Sequence, residues 1–410
     1  MSMIKRLSVL VLLIVVVGSA RAQSSNGSFY NRFGLGTLSE YGLGAYLSQG
    51  NASIAARSAS VVNLKNPAAL NAIVGPSHVF DIGMTGTVLT QSLQENSGNT
   101  MLLGLNNLNF WLKLGKGGGL TFGASPFSDA SYDIQDDYRV DELAGDYSVR
   151  FVGNGGLSRY YIGYGQRLFE GFDVGVRLAL LAGTITRSQY LGDNELLGSS
   201  SVTVEESASQ AVVDFGLQYT RRVGQRSTLT LGATYRPEVS VTTRTEKELA
   251  NGQGDSLLLT GDDYFILPEK IGVGVSLQAG GLLVSWDGEL ERWGANGAHD
   301  DYSYTDVWRS AFGIEYAKNQ VTERYLDRVK YRFGMGWENH YLRYESAQRP
   351  TYFVTAGVGL PVQYGLGGLD LGYTYKNLSS TSGRMVSEVA HQISLNVTIR
   401  DRWFQKRVYD

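Results

Sequence analysis

The stretch "HQISLNVTIR", His391 to Arg400, advances in steps of two. Ile393, Leu395, Val397 and Ile399 share one face, while Ser394, Asn396, Thr398 and Arg400 share the other. That is the alternation of a strand with one apolar side and one polar side. It recurs along the chain. "DVGVRLALLAG" from Asp173 sets Val174, Val176, Leu178 and Leu180 against Gly175, Arg177 and Ala179. "KIGVGVSLQ" from Lys270 and "LDLGYTYK" from Leu369 follow the same rule, with glycine, serine, threonine or a charge on the second face.

Working outward, the period of two predicts strands at 77–90, 101–115, 118–135, 145–168, 171–190, 202–222 and 226–245. It predicts a second set at 264–278, 281–292, 305–317, 328–344, 350–361, 367–380 and 386–400, fourteen in all. Most exceed the roughly 9–11 residues that a tilted strand needs to cross a bilayer. Tight turns, "GKGGG" at 115–119, "FEGFD" at 169–173, "VGQRS" at 223–227 and "AGG" at 279–281, alternate with long polar loops starting at Asp129, Ser188, Arg244 and Trp293. Short turns on the periplasmic side and long loops outside are the plan of a transmembrane barrel. "KNQVTERYLDR", from Lys318, is long for a periplasmic turn. Tyr190, Tyr219, Tyr264, Phe265, Trp293 and Tyr316 fall near expected strand ends, as interfacial aromatics do. A soluble β-sandwich is the rival, but its strands run nearer 5–6 residues, roughly half the length needed here.

Composition agrees. The 410 residues include 51 Gly, 7 Pro and 25 Tyr, with 18% charged, which suits many strands facing lipid on one side. A formal net charge of −3 gives no pull toward nucleic acid. The absence of cysteine excludes disulfides, thiolate metal sites and a cysteine nucleophile. Lys5 and Arg6 precede an apolar run from Leu7 to Val17, and small residues up to Ala22 end it, so residues 1–22 read as a signal peptide. The run falls short of the roughly 20 residues of a spanning helix. Export then points to the cell outer membrane.

Residues 23–76 lack the period of two and are rich in Gly, Ala and Ser, with Phe29, Tyr30, Phe33, Tyr41 and Tyr46 set among them. About eight strands already enclose just enough room for their own side chains, so a fourteen-stranded ring needs a stopper. The expected organisation is a signal peptide (1–22), an N-terminal hatch or plug inside the lumen (23–76), an all-β fourteen-stranded antiparallel transmembrane β-barrel (77–400) and a C-terminal tail (401–410). Asn66 and Pro67 stand at the seam. Proline biases its predecessor away from helix, so the pair is expected to end a hatch helix and turn the chain into the wall.

With Asn66-Pro67-Ala68 between plug and first strand, the chain resembles the FadL-like long-chain fatty acid transporter family of the outer membrane. "LPEKIGVGVSL" from Leu267, "ELERW" ending at Trp293, "FGIEYAKN" from Phe312 and "YRFGMGWENH" from Tyr331 match its style. The opening Arg32-Phe33-Gly34-Leu35-Gly36 and the tail "RDRWFQKRVYD" resemble the Bacteroidota branch. The resemblance implies passive uptake of small hydrophobic compounds, with a hatch in the lumen and lateral release through the wall. It also allows a different role, as an accessory or docking subunit of an outer-membrane protein secretion or assembly machine. A transporter needs an apolar pocket between hatch and wall; a docking subunit can be packed solid.

For the uptake role, Phe29, Tyr30, Phe33 and Leu35 are the candidate contacts for an apolar tail, and Arg159, Arg177 or Arg332 for its carboxylate. The phase of the strands also places Arg167, Asp214, Asp287, Glu289, Glu315, Asp370, Lys376 and Arg400 inside. Such a mixed set most simply forms ion pairs that hold the hatch. A lateral gate requires a strand that stops pairing. Pro126 in the third strand and Gly153, Gly155 and Gly156 in the fourth are the two candidates. The four histidines, His78, His299, His340 and His391, are scattered, and no HExxH, GxSxG, GxGxxG or P-loop occurs, so no enzyme, metal or cofactor is expected. Expected partners are outer-membrane lipid and lipopolysaccharide, a hydrophobic ligand, and the complex partners of the second role.

Overall fold

The computed structural model describes residues 27–401, except 76–77, 95, 141–144, 193–199, 252, 254, 300–301, 319–323, 345–349, 363–366 and 379–384. The expected signal peptide, residues 23–26 of the expected hatch and the tail beyond Asp401 lie outside the described residues. In chain order the strands begin with β1 (Thr37–Leu38), β2 (His78–Leu93), β3 (Asn96–Leu114), β4 (Gly118–Pro126), β5 (Ser128–Asp129), β6 (Tyr132–Val140) and β7 (Gly145–Phe169). They continue with β8 (Phe172–Leu191), β9 (Ser200–Arg222), β10 (Ser227–Arg236), β11 (Val239–Asn251), β12 (Ser256–Leu267), β13 (Lys270–Ala279) and β14 (Leu282–Glu291). The last are β15 (Tyr302–Tyr304), β16 (Val307–Tyr316), β17 (Lys330–Asn339), β18 (Leu342–Tyr344), β19 (Pro350–Val362), β20 (Gly367–Leu378) and β21 (Ser387–Asp401).

Seventeen of these segments form one closed antiparallel barrel, sealed where β21 pairs with β2 from His78↔Asp401 to Ser92↔Ser387. They make fourteen wall strands, because three wall strands are each broken into two segments. The breaks fall at residues 127–131, between β4 and β6, and at the Pro-Glu pairs 237–238 and 268–269. Proline donates no ladder hydrogen bond, which accounts for the last two.

The quoted stretch sits as its period requires. Ile393, Leu395 and Ile399 are exposed on the outside, whereas Ser394, Asn396 and Thr398 are buried against the lumen. The same outward belt includes Leu178, Leu180, Ile271, Val273, Leu371 and Tyr373. Closing the ring pairs the first strand with the last, and an apolar exterior matches hydrocarbon. Among the described residues no helix is long and apolar enough to cross a membrane.

Residues 27–75 lie within the ring. Buried hatch residues such as Leu43, Ile54, Leu64 and Leu70 pack beneath the wall. Wall glycines admit the hatch backbone: a Cβ at Gly232 would come within 2.4 Å of the Ile54 carbonyl oxygen, and one at Gly313 within 2.3 Å of that of Gln49. Much of the glycine content is explained by this close approach.

Three expected loops prove to be largely strand. The segment from Asp129 contains β6, that from Ser188 contains the ends of β8 and β9, and that from Arg244 contains the hairpin β11–β12. Above the bilayer both faces of a strand meet water, so the apolar alternation disappears while the backbone ladder continues. The wall is therefore uneven. β7, β8 and β9 run 25, 20 and 23 residues, but β14, β16 and β17 only 10 each. Over the low side, β15 and β18 pair across the top of the lumen. The long turn from Lys318 carries one helical turn, Tyr325–Arg328, among its described residues.

Candidate functional site

The site is the interior, read from the short-turn end upward. Asn66 is fully buried, and its Oδ1 accepts the Ala68 N–H at 3.0 Å while its Nδ2 donates to the carbonyls of Ile54 (2.8 Å) and Leu217 (3.1 Å). Pro67 is the first residue of a 3-10 helix, Pro67–Ala72. The expectation that Asn-Pro ends a helix is thus corrected: the pair starts one. Asparagine caps a helix start, and proline fits the first position, where no intrahelical N–H is needed. Glycines from three adjacent wall strands receive the motif. A Cβ at Gly165, Gly175 or Gly216 would come within 2.4, 2.2 or 2.1 Å of Pro67 or Asn66.

Midway, the hatch is held by charge. Lys65 lies 2.5 Å from Glu289 and 3.4 Å from Asp287, and donates to the Asn51 carbonyl at 2.9 Å. Asp287 accepts the N–H groups of Ser53 and Ile54 at 2.7 and 3.0 Å. Arg309 pairs with Glu289 (2.9 Å), reaches Glu40 (3.4 Å) and donates to the Gly50 carbonyl (2.8 Å). Lys270 bridges Glu289 and Glu291 at 2.9 and 2.7 Å, and Arg236 stands 3.7 Å from Glu291. Arg309 also lies 3.3 Å from Glu338, so four cations meet five carboxylates in one charged network.

All three candidate arginines are engaged. Arg159 donates to the carbonyls of Ser39 (2.6 Å) and Pro126 (2.7 Å). Arg177 pairs with Asp214 at 2.8 Å and donates to the Leu64 carbonyl. Their guanidiniums lie 3.9 and 3.5 Å from the centroid of the Tyr41 ring, a double cation–π contact. Arg332 is bound to Glu315 and Asp370 at 2.7 and 2.5 Å.

Toward the long-loop end, Phe29, Tyr30, Phe33 and Leu35 meet aromatics from the covering loops. The Tyr344 ring packs at a tilt, 4.8 Å from Tyr30 and 5.1 Å from Phe33 between centroids, and Tyr302 likewise 5.6 Å from Phe33. The Tyr341 hydroxyl donates to the Gly36 carbonyl (2.7 Å) and accepts the Leu35 N–H (3.1 Å). Burial raises the Tyr341 and Tyr304 hydroxyls, so both remain protonated. The four candidate apolar contacts therefore belong to one packed cluster.

An interior cavity of about 80 Å³ is lined by Tyr41, Lys65, Arg177, Glu289 and their neighbours. A drug-sized ligand pocket spans roughly 300–1,000 Å³ and is mostly apolar. A second cavity of about 310 Å³ opens at the short-turn mouth between hatch and wall.

The two gate candidates form a single feature. β3 pairs with β4 only from Leu108↔Ala124 to Leu114↔Gly118, although it pairs with β2 up to Asn96. After Pro126 the third wall strand turns inward, and β5 pairs with hatch strand β1. The Gly153, Gly155 and Gly156 stretch of β7 makes room for the diverted chain. A Cβ at Gly153 would come within 2.1 Å of the Tyr132 ring, and one at Gly156 within 2.2 Å of the Ser128 carbonyl oxygen. The Gly155 carbonyl accepts the Ala130 N–H at 2.9 Å. Beside the break, Asn31 donates to the Ser131 carbonyl at 3.0 Å.

Lys65, Glu40, Lys270 and Arg309 were not among the expected site residues. A signal existed: Arg32, Glu40, Arg57 and Lys65 are the only charged residues between positions 23 and 76. Each has a luminal role, with Arg32 over the Phe151 ring at 3.9 Å and Arg57 on Asp173 at 2.7 Å.

On the outside, among the described residues, β12 pairs with β11 alone. At its base Asn296 receives the Ile266 N–H (2.7 Å) and donates to the Ile266 carbonyl (2.8 Å), as a neighbouring strand would. The backbone groups at 258, 260 and 262 share that outward direction. Leu257, Leu258 and Leu259 are exposed beside them.

A family model described as BamG matches residues 3–410. Among solved structures the chain is similar to a Pseudomonas aeruginosa FadL homologue, with a TM-score of 0.60 at 13% identity, covering 89% of this chain and 99% of that one. It is similar to the Ralstonia pickettii toluene transporter TbuX, with a TM-score of 0.57 at 16% identity over 91% and 100%. The Pseudomonas putida toluene transporter TodX gives 0.56 at 16% identity over 89% and 99%. At these identities the likeness is one of fold. No curated protein sequence matches the chain.

Proposed function

The chain belongs to the BamG family, and from that premise we propose that it is a docking subunit of an outer-membrane β-barrel assembly machine, anchored by its fourteen-stranded wall and closed by its hatch. The filled lumen carries this reading. Its interior cavity of about 80 Å³ is walled by paired charges, and the hatch aromatics that would hold an apolar tail are packed against loop tyrosines. The tall side of the wall adds support, because an unpaired strand edge is a template for a strand from another chain.

Passive uptake of small hydrophobic compounds, with release through the third-strand break, is the second reading. It is supported by the fold shared with two toluene transporters and by the inward turn after Pro126. It requires the hatch to rearrange, since the charged network and an aromatic cluster fill the route.

Purification in mild detergent separates the two. Docking predicts a stoichiometric complex containing other outer-membrane assembly subunits, and a fall in assembled barrel proteins when the chain is depleted. A free-standing barrel carrying a stoichiometric fatty acid or aromatic hydrocarbon would overturn it.

A further inference from the structure

We propose that the cavity at the short-turn mouth is a binding site for an acidic, extended peptide segment presented from the periplasm. The inference rests on the docking reading and names the chemistry of one contact. The cavity, about 310 Å³, lies between the hatch and the first short turn of the wall. Its charged lining residues are Arg57, Lys113 and Arg167, with Asn71 beside them and no carboxylate.

Behind this surface lies an acid. Asp173 is fully buried and is shared by Arg57 Nη1 (2.7 Å), Arg167 Nε (3.2 Å) and Asn71 Nδ2 (2.6 Å). One negative charge therefore fixes two guanidiniums without neutralising them. Lys113 makes no ion pair among the described residues, and the Arg167 side chain is 52% exposed. A cluster with surplus positive charge, open to water and preorganised from behind, is built to receive carboxylates or phosphates.

Register decides which. Lys113 shares a strand face with Trp111, whose indole N–H donates to the hatch carbonyl of Leu70 at 2.8 Å. Arg167 shares one with Gly163 and Gly165, which face Leu70 and Pro67. Both cations thus stand in the luminal phase, away from the lipid headgroups around the outside. Lys116 in the same turn, and Arg221, Arg222 and Arg226 two turns along, extend the positive arc, interrupted only by Glu170. Charges spread along an arc match successive carboxylates on a chain better than one compact phosphate.

The test uses the full barrel in neutral detergent and fluorescence anisotropy of a labelled octapeptide of alternating Glu and Asp. A Gln/Asn octapeptide is the control. The acidic peptide should bind and the neutral one should not, and high salt should weaken binding. Lys113→Gln, which removes no side-chain hydrogen bond or ion pair among the described residues, should weaken it, and Lys113→Gln with Arg167→Gln should weaken it roughly tenfold or more. Arg244→Gln, in the β11–β12 hairpin, should leave it unchanged. Equal affinity in the double variant would overturn the site. Displacement of the peptide by equimolar inorganic phosphate or short-chain phosphatidylglycerol would overturn the peptide assignment. Because the assay needs no other subunit, failure here would leave the docking reading to its own co-purification test.

Discussion

The carbonyl oxygen of Ser128 occupies the space that a side chain on Gly156 would need: a Cβ there would lie 2.2 Å from it. The inward turn of the third wall strand thus depends on the missing side chain of the fourth. Gly156→Ala should displace the diverted segment and cost about 1–3 kcal/mol, the usual penalty of overpacking. Gly98→Ala, where nothing lies within 4 Å, should be neutral. Denaturant midpoints of the two variants check this, and equal midpoints would refute it.

The hatch should be the only barrier to ions. Deleting residues 23–65 is expected to open a conducting pore in planar bilayers, because a fourteen-stranded ring is too wide to be filled by its own side chains. Lys65→Met should give a milder phenotype of intermittent conductance. It strands Asp287 and part of Glu289 inside the network, an imbalance worth about 3–5 kcal/mol when one partner of a buried pair is lost. Unchanged conductance after the deletion would mean that this segment is not the stopper.

Asn66 should matter more than Pro67. Asn66→Ala removes a cap and two buried side-chain hydrogen bonds to Ile54 and Leu217, for a loss of about 2 kcal/mol or more. Pro67→Ala removes only a conformational restraint and should cost below about 1 kcal/mol. Urea unfolding of the two variants gives the order directly.

On β12, neighbouring prolines should act oppositely. The Thr260 N–H points away from β11, so Thr260→Pro should leave the hairpin intact while abolishing any strand addition at its edge. Leu259→Pro removes an N–H that faces β11 and should loosen the hairpin itself. Limited proteolysis at the hairpin distinguishes the two. Loss of assembly partners from Thr260→Pro, with proteolysis unchanged, would place a contact at this edge; full retention would exclude one.

The break in the wall shows why some features were legible only in pieces. Pro126 is visible as a strand breaker, and Gly153, Gly155 and Gly156 as a flexible patch, but they read as alternatives because they lie in different strands. Register unites them: Tyr132 pairs with Gly153, and Pro126 with Ser158. The Asn-Pro pair was misdirected for another reason. The bias against helix before proline and the preference for proline at a helix start are both local, and only the path of the following residues chooses between them.

The sequence alone determined the wall, because a period of two is set by adjacent residues. Each of Ile393, Leu395 and Ile399 must face away from its neighbours whatever the rest of the chain does. Strand number, ring closure and the need for a stopper follow from repeating that local fact. Tertiary structure alone decided what the interior does. Lys65 meets Glu289 and Tyr41 lies between Arg159 and Arg177 because the hatch path and fourteen registers bring together residues more than a hundred positions apart. Charges that could equally have greeted a ligand are, in the folded chain, satisfied by one another.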